Sequence, residues 1–167
     1  MLRAKQTAEI ICSDRAEVEI CDHLREMVLG KLEGLTWQER NELYSDIDIE
    51  GGLSKVRAPG GESFEDIVSR CDDFIKSKLE PRVLEENILI VSHGITKRVL
   101  INLLLEKPSH YVDYINWADN TAVSEVYWTD KTLVRLNDRK HLTDLGLGNE
   151  NYGEWGCFSK LKYAELK

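Results

Sequence analysis

No apolar run in this 167-residue chain approaches the roughly 18 residues that a membrane-spanning helix needs, so no membrane span is expected. Basic charge is in short supply. Lys and Arg number 22 against 30 Asp and Glu, and the formal net charge of -8 argues against a general nucleic-acid binder, which shows a basic face. A small anionic ligand stays open, because the field inside a pocket can oppose the net charge. The four cysteines, Cys12, Cys21, Cys71 and Cys157, have no framework spacing, and no signal peptide precedes them. Reduced, mostly buried thiols and a cytoplasmic location are therefore expected. No Gly-x-x-x-x-Gly-Lys-Ser/Thr loop occurs, which excludes a nucleotide P-loop. Ser92 lacks the Gly-x-Ser-x-Gly elbow of serine hydrolases. Cys21 and His23 lie close together, but no second pair stands at metal spacing, so neither a metal nor another cofactor is expected. Internal repeats and low-complexity tracts are also missing.

What is present alternates between helical and extended patterns. Asn87-Ile88-Leu89-Ile90-Val91 is a branched apolar run of the kind buried on both faces inside a parallel sheet. It ends in Ser92-His93-Gly94, and ligands of open α/β sheets sit at the carboxyl ends of strands. His93 thus lies where chemistry is expected, with Gly94 permitting a sharp turn beside it. The plain alternative is a histidine that merely ends a strand.

The chain opens in helical periodicity, Met1 to Ile11, with Leu2, Ala4, Ala8 and Ile11 on one face and no N-cap residue. A domain that starts in mid-helix implies that something precedes it. Val18 to Ile20 is a short candidate strand. Two glycines, Gly30 and Gly34, make Leu24 to Thr36 a loop carrying Glu26 and Glu33, and Thr36-Trp37-Gln38-Glu39 reads as a capping box. Tyr44 to Gly61 is an irregular excursion, a candidate lid or pocket wall. Ser63 and Asp66 cap a helix whose stripe is Phe64, Ile67, Val68, Cys71, Phe74, Ile75 and Leu79, and Pro81 stops it. Ile95 to Glu106 reads as a helix apolar nearly all round, which predicts burial. Asn120 to Trp128 and Thr132 to Leu136 form a hairpin across Thr129-Asp130-Lys131, and residues from about 137 to 167 read as an irregular tail with a frayed helix from Lys160. His110 and His141 fall in loops as surface histidines. Together these patterns describe one α/β domain over residues 1–167.

Arg3, Glu26 and His93 have complementary chemistry. A guanidinium fork suits phosphate oxygens. A histidine can donate to an anion, attack it or exchange protons. A carboxyl in a partly dry loop can donate a proton near neutral pH. The bland reading for any one glutamate is a solvated surface side chain.

These residues lie in motifs that resemble the histidine phosphatase superfamily, in its phosphoglycerate mutase-like branch. Arg3-Ala4-Lys5-Gln6-Thr7-Ala8, Leu24-x-Glu26-x-x-x-Gly30-x-x-Glu33-Gly34, Gly60-Gly61-Glu62-Ser63 with Arg70, Val91-Ser92-His93-Gly94 and Asn120-Thr121-Ala122-Val123 follow the family's order over residues 3 to about 136. The resemblance implies a three-layer α/β/α sandwich. It implies phosphomonoester hydrolysis through a phosphohistidine, with Arg3 and Gly94 binding phosphate, Glu26 donating the proton, and His93 binding and polarising the phosphoryl group. The family's nucleophile is another histidine, in an Arg-His-Gly motif at the end of the first strand, and this sequence contains no Arg-His-Gly. The resemblance therefore implies a domain missing its first strand and first helix, inactive by itself. The ligand expected is phosphate or a small phosphorylated metabolite. The strand edge left open could pair with another chain, so a homo-oligomer is allowed. Two alternatives remain open: a non-catalytic relative that binds a phospho-ligand or partner, and phosphoglycerate mutase-type transfer. Trp37, Trp117 and the Tyr44–Gly61 excursion are candidate selectors of substrate.

Overall fold

Ser63 begins the helix around which the rest packs. Its hydroxyl accepts from the Asp66 amide at 3.2 Å, and the Asp66 carboxylate accepts from the Ser63 amide at 2.8 Å, a reciprocal cap that satisfies two orphan donors. In this computed structural model, which describes residues 2–48, 52–82 and 87–147, the capped segment is an α-helix, and so are four others. They are α1 (Leu2–Cys12), α2 (Trp37–Leu43), α3 (Phe64–Phe74), α4 (Gly94–Leu104) and α5 (Lys140–Asp144). Two strands, β1 (Val123–Tyr127) and β2 (Thr132–Asp138), pair antiparallel, with Val126 opposite Leu133 and register shifts between Val123 and Val126.

The expected stripe on α3 is the core. Phe64, Ile67, Cys71 and Phe74 are buried, and a π-helical turn (Ile75–Leu79) adds Ile75 and Leu79. Opposite them lie Ile95, Val99 and Leu100 of α4, with Met27, Leu32, Leu53, Val56 and Ala58 from the loops between. A smaller cluster of Ile101, Leu105, Ile115 and Leu133 ties the far end of α4 to the hairpin. The capping box at Thr36 and the hairpin form as the sequence predicts.

Several expectations are corrected. Asn87–Val91 joins no ladder among the described residues; Ile88 and Leu89 are 40% and 60% exposed rather than buried. A strand is defined by hydrogen-bonded neighbours, and an apolar run cannot supply them. Val18–Ile20 likewise forms no strand, with Ile20 exposed. On α1 only Ala8 of the anticipated face is buried, while Leu2 and Ile11 are exposed. The stretch from 137 is not wholly irregular: Asn137 and Asp138 complete β2, and α5 follows. His110 and His141 sit in a 3₁₀ turn and in α5, not in loops. The 44–61 excursion contains one 3₁₀ turn, Leu53–Lys55; its residues 49–51, Cys157 and the frayed helix from Lys160 lie outside the described residues.

Candidate active site

His93 is the N-cap of α4, in extended backbone, and is only 6% exposed. Arg3, near the start of α1, reaches it across the chain: its Nε donates to His93 Nδ1 at 3.2 Å. A ring nitrogen that accepts leaves the proton of neutral imidazole on the other nitrogen. His93 Nε2 therefore carries the hydrogen, and it is buried with no partner among the described residues. Burial holds the His93 pKa below its usual value and Arg3 adds to this, while nearby Glu26 pulls the other way. Near neutral pH the site thus presents a dry, unused N–H donor.

Glu26 sits beside it. Its Oε1 accepts from the Met27 amide at 3.0 Å and the Thr96 amide at 3.1 Å, and its Oε2 from the Ile95 amide at 3.3 Å. The carboxylate thereby caps the N-terminus of α4, where backbone N–H groups and the helix dipole favour negative charge. Gly94 is needed here for the close approach of Trp117, not of Glu26. A Cβ there would stand 2.6 Å from Trp117 Cζ3 and 3.8 Å from Glu26 Oε2. Trp117 thus packs against Gly94 beside His93, whereas Trp37 is exposed on α2 with Arg40 over its ring.

The structure brings Arg3, Glu26, His93 and Gly94 together. Glu33 lies apart from them, accepting from the Leu29 amide at 3.1 Å. Cys21 Sγ is 3.5 Å from His23 Nδ1, and no group of three or more His, Cys, Asp and Glu among the described residues could hold a metal ion. Lys97 lies one turn into α4; its Nζ donates to Asn137 Oδ1 at 2.8 Å, and burial, helped by Arg98, pushes it down to about 8.

Glu62 and Arg70, which the sequence offered only as members of a motif with no role attached, hold the Glu26 loop. Glu62 accepts from Arg25 Nη2 at 2.5 Å, Arg70 Nε at 2.9 Å and the Val28 amide at 2.9 Å. Arg70, 8% exposed, also donates to His23 O at 2.5 Å. A signal was available. Arg70 stands three residues after Ile67 and four before Phe74, inside the buried arc of α3, where an unpaired charge would be costly.

The model of the histidine phosphatase superfamily (branch 1) matches residues 1–139. Over 145 residues the chain is 30% identical to a 6-phosphofructo-2-kinase/fructose-2,6-bisphosphatase of Caenorhabditis elegans, covering 81% of this chain and 30% of that one. It therefore spans about a third of that bifunctional relative. It is 28% identical to phosphoglycerate mutase-like protein 4 of Arabidopsis thaliana, covering 90% of this chain and 67% of that one. Among solved structures, the putative alpha-ribazole-5'-P phosphatase of Escherichia coli superposes with a TM-score of 0.69 at 28% identity, covering 83% of this chain and 70% of that chain. Mycobacterial glucosyl-3-phosphoglycerate phosphatase, in complex with inorganic phosphate, superposes with a TM-score of 0.68 at 23% identity, covering 81% of this chain and 72% of that chain, a likeness of fold.

Proposed function

Since the chain belongs to the histidine phosphatase superfamily and has its α/β fold, we propose that Arg3, His93 and Gly94 bind the phosphoryl group of a small phosphomonoester and that Glu26 is the proton donor to the leaving oxygen. The observation that carries the reading is the buried His93 ring, one nitrogen taken by Arg3 and the other an unpartnered N–H donor beside Glu26. Donors held away from water are worth more than in water and need little reorganisation when charge arrives. The Gly94 amide, at the first position of α4, adds a backbone donor from a helix N-terminus. A protonated Glu26 then supplies the proton that an alkoxide leaving group needs.

The nucleophile is a separate matter. The resemblance assigns it to a histidine in Arg-His-Gly, a motif these 167 residues do not contain, and the phosphohistidine step is routed through that group. Of the four histidines in the sequence, His93 is the one beside Arg3 and Glu26. We therefore expect this chain by itself to bind phosphate without turnover. The same observation favours the second reading, a non-catalytic relative that holds a phospho-ligand or a partner. The chain is read as one domain that binds phosphorylated metabolites of the cytoplasm.

Calorimetric titration with inorganic phosphate, together with a p-nitrophenyl phosphate assay, tests this. Expected are saturable binding, a loss of roughly 10- to 100-fold in affinity for Arg3→Ala, as charge-assisted hydrogen bonds of about 1.5–3 kcal/mol imply, and no turnover. Turnover that survives Glu26→Gln unchanged, or phosphate affinity indifferent to Arg3, would refute the assignment.

A further inference from the structure

The loop carrying Glu26 belongs to no strand and no α-helix, so side chains from elsewhere hold its peptide groups. Arg70 Nη1 donates to His23 O at 2.5 Å, Ser92 Oγ to Leu24 O at 2.8 Å, and Thr96 Oγ1 to Arg25 O at 2.6 Å. Glu62 clamps Val28 from both sides: its carboxylate accepts the Val28 amide at 2.9 Å, and its own amide donates to Val28 O at 2.8 Å. Thr96 is fully buried. Its hydroxyl has one proton, committed to Arg25 O, and lies 3.3 Å from Glu26 Oε1. Toward Glu26 it can therefore present only a lone pair. Arg70 Nη2, 3.4 Å away, faces the same oxygen.

This arrangement holds both forms of an acid. The ionised carboxylate keeps the amides of Met27, Ile95 and Thr96. Protonation at Oε2, which accepts only the long Ile95 bond at 3.3 Å, leaves both amide bonds to Oε1 in place, so the carboxyl is held where it stands in either form. We infer that Thr96, Arg70 and Glu62 are positioning residues for Glu26, Thr96 by direct contact and the other two through the loop and Thr96. The inference rests on the proposed role of Glu26 at the anion site.

Sulfate is the probe, because it stays a dianion over the range in which ordinary carboxyls and imidazoles change charge. Its affinity for the chain is measured between about pH 4 and 7, the range over which a carboxyl and an imidazole change charge. An ionised carboxylate beside a dianion repels it, so wild-type affinity is expected to fall more with rising pH than that of Glu26→Gln, by roughly tenfold. Thr96→Val, nearly isosteric, is expected to follow Glu26→Gln, and Thr96→Ser to follow wild type. Identical profiles for wild type and Glu26→Gln would overturn the placement of Glu26 at the anion site, and this inference with it. A difference between those two that Thr96→Val leaves intact would overturn the positioning role alone. If circular dichroism shows Thr96→Val unfolded, Arg70→Lys, which keeps the charge but loses the fork, takes its place with the same two outcomes.

Discussion

One nitrogen of His93 is occupied and the other is idle, and that asymmetry governs what the residue does. Burial keeps the ring neutral, while an anion at Nε2 would favour the imidazolium, whose second proton lands on Nδ1 and turns Arg3 from the ring toward the anion. Phosphate binding should therefore take up a proton. Calorimetry near pH 7 in buffers of different ionisation enthalpy should return uptake greater than zero in wild type and less in His93→Gln. The same lowered pKa has a stability consequence. Above about pH 6.5 folded and unfolded chains both carry a neutral ring; below it the unfolded chain takes a proton that the folded chain resists. Denaturant melts should show stability falling as pH drops through that value, by at most about 1.4 kcal/mol per pH unit from this group, with a shallower slope in His93→Gln. At this scale the sequence exposed chemistry but not proximity. Arg3 and His93 are 90 residues apart, and nothing in spacing says that their side chains touch. Only the ordered motifs of the family resemblance suggested a shared site.

Elements position these residues through close backbone crossings. A Cβ on Gly61 would lie 2.1 Å from Val28 O, and one on Gly30 would lie 2.4 Å from Pro59 O, so the Glu26 loop and the turn before α3 touch backbone to backbone. Gly61→Ala must push them apart, and a loss of about 1–3 kcal/mol is expected in chemical denaturation, together with weakened phosphate binding. Ser63→Ala removes the buried hydroxyl of the α3 cap, and a loss of about 0.5–2 kcal/mol is expected with phosphate affinity kept. Local chemistry of this sort was readable in advance. The Ser63–Asp66 and Thr36–Glu39 boxes, the α3 stripe and the β1–β2 hairpin each depend on residues within a few positions of one another or across one tight turn. The Asn87–Val91 run was not readable, since its state depends on which strands lie beside it. Arg70 stood in a motif, but its task was unreadable for a related reason: a charge in an apolar arc makes sense only when Glu62 and the His23 carbonyl are seen to meet it.

For the molecule as a whole, the net charge of -8 and an anion site are compatible because the field at the site is local. The Arg3 guanidinium, the His93 N–H and the α4 N-terminus concentrate positive potential in one place, while much of the acidic surplus is spread over exposed side chains such as Glu9, Glu42, Glu65 and Asp144. Superfamily membership was legible from the five ordered motifs, and the match over residues 1–139 agrees. The described residues add what motifs cannot, a core in which Met27, next to Glu26, and Ile95, two residues after His93, are buried in one cluster. No helix among them is long and apolar enough to cross a membrane. The most direct measurement is a two-dimensional NMR titration of the chain with inorganic phosphate. The account predicts saturating shifts centred on the Gly94 amide, the His93 ring and the Arg3 guanidinium; shifts spread over unrelated surface amides, or none at saturating phosphate, would contradict it.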